Sequence, residues 1–329
     1  MFSAFIGIDW SGAKGRRHAG IQMAHANSGQ AVPRRIEPTG GKHWSRHELF
    51  NYLCQLVELP SGPVLVGIDF AFAHPFVDAG SYFPSVADAP PDAAALWALI
   101  DRVNADQPHL YGGGMFRQLP WADFYLAPPH YKAPHYASRR RMTEIAARHS
   151  GRSPSPTFKA VGADNVATGS LAGMRLLHQL KTRLGDRLAV WPFDLICPAK
   201  TKLVLVEIFP SLYFHRLGMV PAKQAAADPQ FLNQALQAYA SQGVDADFIP
   251  LGKDADEADA IISAAALRWF AADESIFTPA GLKRPPQALA AQQEGWIFGV
   301  PMVGDEEPIY RDKAPCAYLI NLSSDYPLI

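Results

Sequence analysis

Residues 5–9, Phe5-Ile6-Gly7-Ile8-Asp9, and residues 64–69, Val64-Leu65-Val66-Gly67-Ile68-Asp69, end alike: each closes on a glycine, an isoleucine and an aspartate. Both runs are apolar on both faces and rich in β-branched or aromatic residues, as expected of strands in the middle of a sheet covered on both sides. A third run, Leu203 to Phe209, has the same character and carries Glu207 within it. Side chains alternate along a strand, so Asp9 shares a face with Gly7, and Asp69 shares one with Gly67. If the first two strands lie parallel and adjacent, both carboxylates emerge at one carboxyl edge, where open α/β sheets place their ligands. Ionised groups at the ends of buried strands are costly unless paired, hydrogen-bonded or bound to a cation.

Outward from these runs, the segment Ala19 to His25 follows the glycine-containing turn SGAKGRR and is expected to pair back as a hairpin. Helical patterns run from about Pro91 to Asn104, Ser170 to Leu184, Pro229 to Ser241 and Asp256 to Ala272. The stretch from about Pro84 to Asp164 differs in kind, with many prolines, the run Gly112-Gly113-Gly114 and the aromatics Tyr125, Tyr131 and Tyr136. It reads as an insertion or cap subdomain on an α/β core. The chain thus divides into residues 1–83 (first part of the core), 84–164 (insertion) and 165–329 (remainder of the core and a C-terminal segment).

Composition narrows the function classes. Of 329 residues, 48% are hydrophobic and 19% charged, which fits a globular protein with a large core and excludes a disordered or fibrous one. The formal net charge is −1, so no global basic field advertises nucleic acid. Locally the balance is uneven: +5 from Trp10 to Glu48, +6 from His130 to Ala160, and −6 from Ala225 to Ala260. A basic rim around an acidic centre suits a metal-dependent enzyme acting on phosphates, and mixed solvated surface is the plainer reading. Cys54, Cys197 and Cys316 are far apart and lack CxxC spacing, which argues against a disulfide scaffold or zinc ribbon and for ordinary core residues. The N-terminus lacks a basic leader region and no stretch of eighteen apolar residues occurs, so a cytoplasmic protein without a membrane partner is expected.

The second informative stretch is Asp254 to Phe270, DADEADAIISAAALRWF. Asp256 and Asp259 are three residues apart and therefore neighbours on one helical face. Asp254 and Glu257 have the spacing of an N-cap pair. Asp259 lies beyond any cap and leads into the buried face. Two strand-end carboxylates with one or two from a packed helix form a hard, oxygen-rich donor set, which selects Mg²⁺ or Mn²⁺ over zinc. Such ions clamp the oxygens of a phosphodiester and activate the attacking water.

Seven motifs occur in order: IGIDWSGAK from Ile6, VGIDF around Asp69, GSLAGMR at Gly169–Arg175, VWPFD at Val190–Asp194, VEIFPS at Val206–Ser211, DEADA at Asp256–Ala260 and EGWIFGVP at Glu294–Pro301. Together they resemble domain-of-unknown-function family 429, whose members are described as predicted RNase H-like nucleases. The resemblance implies an RNase H-like mixed sheet: a first strand bearing an aspartate, two antiparallel strands, then a parallel strand bearing a second acid. It implies Asp9 and Asp69 as strand ligands and Asp259, supported by Asp256, as the helix ligand. It places Glu207 in or beside the site. The activity implied is divalent-metal-dependent phosphodiester hydrolysis on DNA or RNA.

Other signals are weaker. Ser11, Gly12 and Lys14 resemble the phosphate-binding turn of actin-like kinases and ATPases, which makes an ATP-dependent phosphotransferase one alternative. A nucleic-acid or nucleotide binding module that retains the scaffold without turnover is another. Arg139, Arg140, Arg141, Lys159, Lys200 and Lys202 are candidate phosphate contacts, with Tyr131 and Tyr136 as stacking platforms. His74, just after the Asp69 strand in AFAHP, is a candidate base or proton shuttle, and His18 and His215 have weaker cases. Ser11 and Ser211 lack a nucleophile-elbow context, so acyl transfer is not supported.

Overall fold

The computed structural model describes residues 2–59, 62–128, 133–162 and 165–302. In chain order the elements are β1 (Ala4–Asp9), β2 (Gln22–Asn27), β3 (Arg34–Arg35), α1 (Arg46–Leu56), β4 (Val64–Ile68), α2 (Ala93–Val103), α3 (Met142–Ala147), α4 (Ala167–Leu184), β5 (Leu188–Val190), β6 (Leu203–Glu207), α5 (Pro210–His215), α6 (Lys223–Ala226), α7 (Pro229–Ala238), α8 (Asp256–Phe270) and α9 (Gln287–Glu294). Among the described residues no helix is long and apolar enough to cross a membrane.

The strands form one mixed six-stranded sheet in the order β3-β2-β1-β4-β6-β5. The hairpin is antiparallel, with β1 against β2 and β2 against β3. β4 lies parallel to β1, and β6 lies parallel to β4 and β5. The mixed α/β fold expected from the sequence, an antiparallel hairpin followed by parallel strands, is therefore the one observed. The parallel register pairs Gly7 with Gly67 and Ile8 with Ile68, and the Asp69 amide donates to the Ile8 carbonyl at 3.0 Å. Asp9 and Asp69 accordingly leave the sheet side by side at its carboxyl edge.

Each face of the sheet has its own core. Ile6, Ile8, Val64, Val66, Ile68, Leu203 and Leu205 pack with buried residues of α1, α2 and α4. Phe5, Leu65, Val204, Val206 and Ile208 pack with α5, α7, α8 and the segment Trp296–Phe298. The first core continues without a break into the expected insertion, through Trp97, Ile100, Phe116, Trp121, Phe124, Tyr125 and Phe158. The described residues of this stretch thus extend the first core, while Met142, Ala146 and Ala147 join the second. Cys54 is half-buried and packs against the first core, Cys197 is exposed and so is not the core residue expected, and Cys316 lies outside the described residues.

One contact sets the position of α8. A Cβ built on Gly7 would lie 2.3 Å from the Ala260 carbonyl oxygen and 2.7 Å from the Ala264 nitrogen. Strand and helix backbones meet there with no room for a side chain, and the alanines of α8 let the helix lie flat. Gly7→Ala is expected to lower the unfolding free energy by about 1–3 kcal/mol, the usual cost of overpacking a filled core. Urea denaturation measures this, and an unchanged midpoint would show that the approach is not tight.

A candidate carboxylate site at the sheet edge

The close packing of α8 on β1 brings its first turn beside the strand ends. Asp9 is 8% exposed, and Asp69, Asp256 and Asp259 are half-buried, so the group is partly open to solvent. Asp9 Oδ1 accepts from the Trp10 amide at 3.0 Å. Asp256 Oδ2 accepts from the Lys253 amide at 2.9 Å. Among the described residues none of these four aspartates forms an ion pair.

Their electrostatics follow. Burial raises the Asp9 carboxyl well above the ordinary carboxylate range, and Asp259, Asp69 and Asp256 raise it further. Burial likewise raises Asp69, with Asp259 and Glu207 adding to the effect. Asp259 is pushed up to about 7 by burial and then by Asp256, with Lys223 opposing. Lys223 is itself committed to Asp254, at 2.8 Å. Like charges close together and without a cation retain protons. As they stand, the carboxylates do not close around a point: among the described residues no three His, Cys, Asp or Glu side chains form a ready metal cage.

The start of α8 departs from the expected cap. The N-cap is Ala255, in the left-handed region at φ 67°, with no side-chain cap. Asp254 faces Lys223 instead, while Glu257 accepts from the Leu251 amide at 2.7 Å.

Glu207 stands beside this group, on the other face of the sheet. Its strand neighbours Leu203 and Leu205 face the first core, whereas Gly7 and Asp9 face α8. Because faces alternate, Glu207 projects from the other side of the sheet. There its carboxylate accepts from Arg141 at 2.6 and 2.7 Å and from the Phe72 amide at 3.0 Å. Glu207 is thus held by the Arg141 network, beside the aspartates and with its charge reaching Asp69. Arg141, expected as a phosphate contact, is fully buried and also holds Glu144 at 2.8 Å. Burial works against the Arg141 charge, but Glu207 and Glu144 outweigh it and raise its pKa. Glu144 is pushed up to about 7 by burial in spite of Arg141. Glu294 completes the network by accepting from the amides of Phe76, Val77 and Met142. Sequence reasoning missed this network, and only the acid of EGWIFGVP hinted at it.

His74 is also corrected. It is fully buried and stacked on Phe158 at 4.4 Å, with Nδ1 2.8 Å from Thr157 Oγ1 and Nε2 2.8 Å from the Tyr125 hydroxyl. Both ring nitrogens are occupied, and burial, helped by Arg139 and Arg141, keeps the ring neutral by lowering its pKa. Its described partners are the Thr157 and Tyr125 hydroxyls and not the aspartates. His18 and His215 each bury an Nε2 without a partner among the described residues.

The remaining candidates are dispersed. Arg139 pairs with Asp78 at 2.6 Å and donates to the carbonyls of Pro75, Ser81 and Tyr82, so it braces loops. Arg140 donates to Ser153 Oγ and the Pro154 carbonyl. Lys159 and Tyr136 are half-buried, and Lys202 is exposed. Lys200 pairs with Asp186 at 3.0 Å. Tyr125 is buried, and Tyr131 lies outside the described residues. Lys14 is exposed and Ser11 half-buried. A Cβ on Gly12 would lie 2.2 Å from the Gly169 nitrogen, so at that residue the turn is filled by the start of α4. Arg46 lies beneath it, fully buried, donating to the carbonyls of Ser11, Ala13 and His109.

No family model matches the chain, and no curated protein or solved structure matches it.

The Asp259 shift has a thermodynamic consequence. The folded chain keeps a proton up to about pH 7 that the unfolded chain releases near the ordinary 3.8. The stability this contributes is complete below the unfolded value and is lost as pH rises through about 7. In EDTA, Asp259→Asn is expected to flatten this loss and to raise Tm above wild type at about pH 8, by about 1–2 °C for about 1 kcal/mol in a chain of this length. Parallel calorimetric scans at about pH 5 and about pH 8 give the comparison. A variant that melts below wild type at the higher pH would contradict the repulsion.

Proposed function

We propose that the chain is a divalent-metal-dependent phosphodiesterase acting on nucleic acid, with Asp9, Asp69 and Asp259 as its metal-binding carboxylates. The observation that supports this is the convergence of strand-end and helix aspartates that lack any cationic partner among the described residues. The donor chemistry fits: oxygen ligands, concentrated negative charge and partial access to solvent suit Mg²⁺ or Mn²⁺. When bound, such an ion activates water and neutralises charge developing on the phosphate oxygens.

The chain's own residues have distinct parts in this reading. Asp9 and Asp69 are fixed by strand register, so their carboxylates start from a rigid edge. Asp259 and Asp256 come from the next layer, on the first turn of α8. Asp256 is oriented by the Lys253 amide. At neutral pH the raised carboxyls must lose protons before they ligate, so ion affinity rises with pH.

Isothermal titration of Mn²⁺ is expected to show saturable binding that Asp9→Asn and Asp259→Asn each weaken by at least about tenfold. Cleavage of a labelled single-stranded oligonucleotide should fall by at least about a hundredfold in both, the scale set by losing a positioned electrostatic group. Binding equal in wild type and both folded variants would contradict the assignment.

A further inference from the structure

A shallow, open cleft lies along the segment leading into α3 and is lined by Asp78, Ser138, Arg139, Arg140, Ile145 and Arg148. Its arginines differ in what they have left to give. Arg139 is used up by Asp78 and three carbonyls, and it cancels the Asp78 charge. Arg140 is half-buried and donates through one guanidinium nitrogen, Nη1. Arg148 is exposed, and among the described residues its guanidinium has neither a hydrogen bond nor an ion pair. The cleft therefore presents the charge of Arg140 and Arg148 with no acid left to balance it. Ile145, 43% exposed, adds an apolar wall.

The chain links the cleft to the carboxyl edge of the sheet: Arg141, next to Arg140, clamps Glu207 on the face opposite the aspartates, and the Glu207 charge still reaches Asp69 across that edge. A bed of carboxylates by itself repels a polyanion, so a substrate bearing many phosphates needs a separate cationic hold nearby. Guanidinium groups supply it, because their fork of donors matches phosphate oxygens. We infer that the cleft between Arg140 and Arg148 holds the sugar–phosphate backbone of a single-stranded nucleic acid whose reacting phosphate lies at the aspartates. This assignment rests on the phosphodiesterase reading. An open cleft with an apolar wall suits a strand whose bases are unpaired, since a base can lie on Ile145 while phosphates meet the arginines.

The test is fluorescence anisotropy of a fluorescein-labelled thymidine oligonucleotide in Mg²⁺, with full-length protein in an Asp259→Asn background that suppresses turnover. Adding Arg148→Glu should weaken binding by about tenfold, and Arg140→Gln by less. Each lost contact should reduce the slope of log affinity against log salt by about 0.7. Lys200→Glu, which alters an exposed lysine paired with Asp186, should stay within about twofold. Equal losses from Arg148→Glu and Lys200→Glu, no binding by the background protein, or competition by polyglutamate as strong as by unlabelled oligonucleotide would each overturn the inference. Mn²⁺ titration of otherwise wild-type protein and of Arg148→Glu separates the two readings. Unchanged metal binding in Arg148→Glu leaves the oligonucleotide result to decide the cleft. Absence of metal binding in both, with the oligonucleotide result as expected, would overturn the metal assignment and leave the cleft as a nucleic-acid surface.

Discussion

The backbone of α8 rests on the backbone of β1 at Gly7, and the geometry of the carboxylate site depends on that contact. A helix held one side chain further away would carry Asp259 and Asp256 out of range of the strand ends. The parallel pairing of β1 with β4 supplies the other constraint, since it fixes Asp9 and Asp69 in one row of the sheet. Two rigid contacts thus force acids together that electrostatics alone would separate. Core packing on both faces of the sheet opposes the repulsion, and the raised carboxyl pKa values record it.

The protein treats its buried acids in two opposite ways. On one face Glu144 and Glu207 share the Arg141 guanidinium, and Glu294 takes three backbone amides. Every one of these acids has donors at hydrogen-bond distance, as buried charges require. On the other face Asp9, Asp69 and Asp259 lie within each other's field with no ion pair among the described residues, Asp9 taking the Trp10 amide. Uncompensated charge at a partly open edge is a cost that structure alone does not explain, which is why this site and not the arginine network supports a functional reading.

Much of this was legible in the sequence for identifiable reasons. The strands β1, β4 and β6 announce themselves as short apolar runs, and α8 as an alanine-rich run behind acids, so Asp9, Asp69, Asp256 and Asp259 could be placed together. The matching Gly-Ile-Asp endings carried the register, because equal spacing from a glycine gives equal position in adjacent parallel strands. The Arg141 pairing of Glu207 was not legible, because sequence shows that a residue lies in a strand but not which core its face meets. Arg141 and His74 were misplaced for a related reason: an arginine in a basic run and a histidine after a strand look solvent-facing until their long-range partners, Glu207 and Tyr125, are known. The helix α1 went unrecognised because its apolar positions are interspersed with polar ones, including the buried Arg46, whose partners lie outside the helix.

Diffraction from a crystal soaked in Mn²⁺, measured at a wavelength where manganese scatters anomalously, tests the central claim most directly. The structure predicts an anomalous peak between the carboxylates of Asp9, Asp69 and Asp259, with their side chains turned inward to meet it. A crystal with that site open to solvent but without a peak there, or with manganese only beside Asp254 and Lys223, would contradict it.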